Sequence, residues 1–146
     1  MEKDEIQEIK KKKRSLKRYR FSLACIGRLE DKLQLLEERI VRVKSPNYSG
    51  MPRGGTPVTI EELLSDKIDL EKRIEKLKKK SRGVKAQILD EIDSLEDYRH
   101  CEILEAYFID CMTISQIAEE MGYTDVHIYN LYRDALVELT FNNTLE

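Results

Sequence analysis

The sequence predicts an all-α fold: a long antiparallel helical hairpin of coiled-coil type, followed by a C-terminal helix-turn-helix bundle. Three observations carry that expectation. Apolar residues recur at steps of three and four over residues 16–43 and again over 60–95, the spacing that gathers side chains on one helical face. All three prolines and three of the six glycines fall between those seams, from Ser45 to Pro57. Residues 113–139 then run cap, small residue, glycine, second cap and apolar stripe, in the order two short helices joined by a tight turn require.

The organisation expected is a basic N-terminal long helix over 1–44, a Pro/Gly loop over 45–58, a second long helix over 59–96 and a helix-turn-helix domain over 97–146. The first seam is Leu16, Tyr19, Leu23, Ile26, Leu29, Leu33, Leu36, Ile40 and Val43. It predicts one helix from near Asp4 to Val43, about 60 Å long at roughly 1.5 Å per residue. Lys10, Lys11, Lys12, Lys13, Arg14, Lys17, Arg18 and Arg20 crowd its early turns, and their mutual repulsion predicts fraying there.

The loop Ser-Pro-Asn-Tyr-Ser-Gly-Met-Pro-Arg-Gly-Gly-Thr-Pro follows; proline lacks the amide a helix interior needs and glycine loses too much entropy in one. Thr59 with Glu62 then fits a capping box. The second seam is Ile60, Leu63, Leu70, Ile74, Leu77, Val84, Ile88, Ile92 and Leu95. Lys67, Ser81 and Glu91 interrupt its heptads, and Gly83 is a candidate kink, costing about 1 kcal/mol of helix stability. Two amphipathic helices and one loop suit a hairpin in which each covers the other's stripe; pairing between two chains satisfies the same pattern.

A further helix is expected from Tyr98 to Ile109, with Ile103, Leu104, Tyr107 and Phe108 inward, and a break over Asp110, Cys111 and Met112. Thr113 and Gln116 form a second capping box before a helix from Ile114 to Met121. Gly122 ends it and Thr124 caps the last helix, whose buried stripe is Ile128, Leu131, Ala135, Leu136 and Leu139.

Composition and charge narrow the function. Charged residues make up 37% and aromatics 7%, with no Trp, a mix suited to long solvated helices around narrow apolar seams. The net charge of −2 hides an asymmetry: from Cys101 onward Arg133 alone stands against nine acids, a balance of −8, which leaves +6 for residues 1–100. A basic arm on an acidic body is the expected picture. Nothing approaches the length of a membrane span, and the charged first twenty residues lack a signal-peptide core. A cytoplasmic protein is therefore expected. Cys25, Cys101 and Cys111 are odd in number and scattered, as reduced thiols are.

No enzyme is expected. His100 and His127 are the only histidines, and no motif sets a nucleophile or acid beside either. Neither they nor the cysteines show zinc-ligand spacing, and Gly54-Gly55 lacks the strand-to-helix setting of a phosphate loop. The sequence calls for no metal, cofactor or small-molecule substrate.

Residues 103–139 resemble region 4 of the sigma factors of bacterial RNA polymerase. The likeness is carried by Ile117-Ala118, Met121-Gly122-Tyr123-Thr124, Ile128, Leu131 and Ala135-Leu136. Over roughly residues 15–140 the chain resembles small phage-encoded proteins related to the ArpU and RinA regulators, in which a helix and a Ser-Gly-Met-Pro-Arg-Gly loop, here Ser49 to Gly54, precede the sigma-like end. The resemblance implies a phage or prophage transcriptional regulator acting on late genes with host RNA polymerase.

It also assigns residues. Asp125, Val126, Tyr129 and Asn130 would lie nearest base edges, and Thr124, His127, Tyr132 and Arg133 nearer phosphates. In a major groove Asp125 accepts only from cytosine, Asn130 suits adenine and Val126 suits a thymine methyl. Asp125 has a second reading, as an acid complementing a helix dipole. Sigma proteins place several basic residues on this face and this chain does not, so Lys10, Lys11, Lys12, Lys13, Arg14, Lys17 and Arg18 are the candidate phosphate-tracking arm. Tyr48, Met51 and Arg53 belong either to a plain connector or to a polymerase-docking loop. The partners implied are duplex DNA, RNA polymerase and a second copy of the chain, with no membrane. The alternative function is an adaptor that binds no DNA and sets its acidic C-terminal module on a basic protein surface.

Overall fold

The computed structural model describes residues 2–44 and 59–142. Among them every regular element is an α-helix: α1 (Lys3–Leu16), α2 (Arg18–Lys44), α3 (Ile60–Asp93), α4 (Tyr98–Phe108), α5 (Ile114–Met121) and α6 (Asp125–Asn142). The loop residues Ser49 to Gly54, with Tyr48, lie outside the described residues.

The chain divides into two compact units, one formed by residues 1–22 with 81–146 and the other by residues 23–80. The first predicted helix is interrupted at Lys17, where one residue in turn geometry separates α1 from α2. The lysine-rich start, where fraying was expected, is helical from Lys3. Acids Asp4 and Glu5 sit in the first turn and Lys13 and Arg14 in the last, the order that complements the helix dipole.

In the unit of residues 23–80, Ile26, Leu29 and Ile74 form a buried cluster, with Leu33, Leu70 and Leu77 packed against it. Lys78 reaches Glu30 at 3.4 Å. Thr59 Oγ1 accepts the Glu62 amide at 3.2 Å and so starts α3. Helix α3 is continuous through Gly83, which does not break it.

The larger unit is built on a core of Leu16, Ile88, Ile92, Ile103, Leu104, Phe108, Ile117, Ile128, Ala135 and Leu139, each essentially sealed from solvent. The predicted stripe of α6 and, from α4, Ile103, Leu104 and Phe108 are buried in this core, with Tyr107 partly buried against it. Asp97 caps α4 by accepting the Arg99 amide at 2.9 Å; that bond, ahead of the His100 charge, holds its carboxyl below the usual aspartate range. Thr113 and Gln116 form the reciprocal capping box of α5, whose end at Gly122 has φ 75°, a conformation that glycine adopts without a Cβ clash. Between α4 and α5, Cys111 takes a similar left-handed backbone at φ 58°.

Helix α6 is clamped at both ends. Near its start, Ser115 of α5 donates its hydroxyl to Asp125 at 2.7 Å, and Thr124 Oγ1 accepts the His127 amide at 3.1 Å. Near its end, Glu138 bonds the His100 ring through Nδ1 and accepts the Glu96 amide at 3.2 Å. These bonds, with the apolar stripe, fix which face of α6 looks outward.

Candidate nucleic-acid interface

The outward face of α6 follows from the inward one. Ile128, Leu131, Tyr132, Ala135 and Leu136 are buried, so the opposite stripe is Val126, Tyr129, Asn130 and Arg133, spaced at three and four. Val126 is 70% exposed and Tyr129 51%. The Arg133 guanidinium lies 6.0 Å from the centre of the Tyr129 ring, leaving an aromatic face backed by a cation.

Three residues assigned to this surface have other duties. Tyr132, expected near phosphates, is only 4% exposed and belongs to the core, against Tyr107 and Phe108. Burial, first among the causes, pushes its phenol far above the ordinary tyrosine range. Its position four residues after Ile128 explains this: it lies on the buried stripe, not across from it. Asp125 accepts the Ser115 hydroxyl and ties α5 to α6. Thr124 uses its hydroxyl as a helix cap. His127 stays exposed beside Tyr123, the ring centroids 4.8 Å apart and nearly perpendicular; sequence pattern had not marked Tyr123 as part of this surface.

The basic segment divides. Helix α1 packs on α6, with Leu16 inside the core and Ile9 packed against it. Lys10 and Lys13 line a groove of about 740 Å³ together with Ile6, Ile9, Tyr129 and Arg133, and the acids Asp134 and Glu138 line it too. Lys13 Nζ stands 5.8 Å from the Tyr132 ring centre. Lys12 points elsewhere and pairs with Glu91 of α3 at 3.4 Å. Lys11, Arg14, Lys17 and Arg18 are exposed, Arg18 donating to the Ser15 carbonyl at 2.8 Å. Arg20 is turned inward: it donates to the Tyr107 carbonyl at 2.6 Å and lies over that ring. Two cations of the arm are thus neighbours of the α6 surface. Ile6 and Ile9, three residues apart among the lysines, were the sequence signal for that docking.

The other face of the module is acidic. Glu102, Glu105, Asp110 and Glu120 surround a groove of about 470 Å³ floored by Ala106, Met112, Ile117 and Met121. Among the described residues none of these four acids forms an ion pair.

The family model that matches this chain covers residues 42–140. The chain belongs to the family described as Protein of unknown function (DUF1492). No curated protein and no solved structure matches. The DUF1492 match takes in α3 to α6, including the outward stripe and the acidic groove, while Lys10 and Lys13 lie before it.

Cys101 donates to the Ile92 carbonyl at 3.3 Å, and burial raises its thiol above the usual range, the opposite of what a reactive cysteine needs. Among the described residues no group of three or more His, Cys, Asp or Glu side chains is placed to hold a metal ion. No helix among them is long and apolar enough to cross a membrane.

Proposed function

We propose that this DUF1492 member is a DNA-binding transcriptional regulator of the phage or prophage type, with α4 to α6 acting as a sigma-region-4-like helix-turn-helix. In this reading Val126, Tyr129 and Asn130 meet base edges in a major groove, and Arg133 and His127 lie toward phosphates. Residues 23–80 are the body of a helical hairpin that spaces two copies or engages RNA polymerase. The observation that carries the reading is the seating of α1 on α6. A module with a −8 balance over residues 101–146 repels a duplex unless cations stand beside its reading helix, and Lys10 and Lys13 share a groove with Tyr129 and Arg133.

The acidic groove of Glu102, Glu105, Asp110 and Glu120 favours a second reading, an adaptor whose C-terminal module docks a basic protein surface. One experiment separates them. Salt titration of duplex binding is compared between the parent chain and Lys10→Gln/Lys13→Gln. For the regulator, the variant binds all sequences more weakly, and its slope of log K against log salt is flatter by about two, roughly one for each phosphate the variant no longer neutralises. Equal affinity and slope eliminate the arm. A parent chain that binds no duplex even at low salt eliminates the regulator and leaves the adaptor.

A further inference from the structure

A second cationic surface lies on α3, in the unit of residues 23–80. Between Lys72 and Lys80 the chain reads Lys-Arg-Ile-Glu-Lys-Leu-Lys-Lys-Lys, with Glu75 its single acid. Ile74 is buried and Leu77 packs on the same cluster. At roughly 3.6 residues per turn, those two anchors turn Lys72, Lys76 and Lys79 to the opposite side, within an arc of about 60°. Lys80 and Arg73 extend that arc on one side and Glu75 borders it on the other, and all five cations are exposed. Lys78, nearer the packed face, is the one that finds Glu30. Among the described residues none of the other five takes part in an ion pair.

Such a stripe works against the fold that carries it. Like charges three and four residues apart on a helix destabilise it; Asp69 and Glu75 stand at that spacing from Lys72, and Glu75 from Lys79, but neither stands so from Lys76 or Lys80. Solubility needs mixed charge rather than one sign in a row. A straight row of long flexible cations is instead what a phosphate backbone takes. From Lys72 to Lys79 the helix rises about 10 Å, which spans about three phosphates of one DNA strand at roughly 3.4 Å of axis each.

We propose that the outward face of α3 from Lys72 to Lys80 is a second, sequence-independent binding surface for the phosphates of duplex DNA. The proposal rests on the regulator reading and adds to it a surface within the unit of residues 23–80: α6 selects the sequence, and the α3 stripe adds affinity that every sequence shares.

The test is a salt titration of the full chain on a selected duplex and a random one. The parent is compared with Lys72→Gln/Lys76→Gln/Lys79→Gln and with the triple Lys→Arg variant. Glutamine is a good helix former, so circular dichroism should report unchanged helix content. The Gln variant should have a salt slope flatter by about two to three units. Between about 50 and 200 mM salt the parent should then lose roughly 16- to 64-fold more affinity than the variant. The ratio of selected to random binding should not change, and the Arg variant should keep the parent slope. A parent that binds duplex with a Gln variant of identical slope overturns this proposal alone. So does a drop in affinity that the Arg variant shares. A parent without duplex binding, or one that binds only single-stranded RNA or anionic vesicles, overturns the regulator reading and this proposal together.

Discussion

Gly122 and Cys111 have the same backbone problem and solve it differently. Both sit at left-handed φ, 75° and 58°, but only one lacks a Cβ. Nothing lies within 4 Å of where a Gly122 side chain would begin, so any cost of Gly122→Ala is conformational. That cost is about 1 kcal/mol, the penalty an L-residue meets in the left-handed well. Thermal melting should place Gly122→Ala a few degrees below the parent, with Cys111→Gly not below it; equal melting of parent and Gly122→Ala would mean the turn has moved. Gly122, Thr113 and Thr124 were legible in the sequence because capping chemistry is local. Tyr132 was legible too, since it lies on the stripe of Ile128, Ala135 and Leu139; the family likeness, which counts it among outward residues, drew it to the wrong side. Ser115 was not legible, because its bond to Asp125 depends on how two helices cross.

At the scale of elements, α1 shows where helical periodicity is hard to read. Ile6, Ile9 and Leu16 keep helical spacing, but lysines surround them and hide the stripe. Leu16 is nonetheless fully buried among residues of α3, α4 and α6, and it fixes the helix that brings Lys10 and Lys13 to α6. Leu16→Ala should cost about 2–5 kcal/mol, as other buried leucine truncations do. Denaturant unfolding measures this, and a cost under about 1 kcal/mol would show that α1 is a detachable arm. Helix α3 carries a complementary lesson. Its seam predicted one long partner, yet Ile74 belongs to one core and Ile88 and Ile92 to the other. The heptad pattern marks which side of a helix is buried and carries no record of what buries it.

At the scale of the molecule, the larger unit is discontinuous: residues 1–22 join residues 81–146, with residues 23–80 between them in sequence. The charge asymmetry read from the sequence, +6 against −8, takes on a physical meaning in that arrangement. The acidic module completes its core with a segment of the opposite charge, so packing and electrostatics favour the same docking, helped by Lys12–Glu91. A division of the chain at residue 97, where the local pattern changes, misses this, because the strongest link between the parts is nonlocal. The arrangement predicts that a fragment of residues 81–146 is incomplete. By itself it exposes the apolar ground that Ile9 and Leu16 cover, and it should unfold at lower denaturant than the full chain. A peptide of residues 1–22 added in trans should raise that midpoint in a concentration-dependent way, because a ligand that binds only the native state stabilises it by mass action. The same peptide with Leu16→Ala should do so more weakly. Should the peptide leave the midpoint unchanged at millimolar concentration while the fragment is folded alone, α1 contributes no part of the core, and the cationic neighbours of Tyr129 and Arg133 lose their anchor.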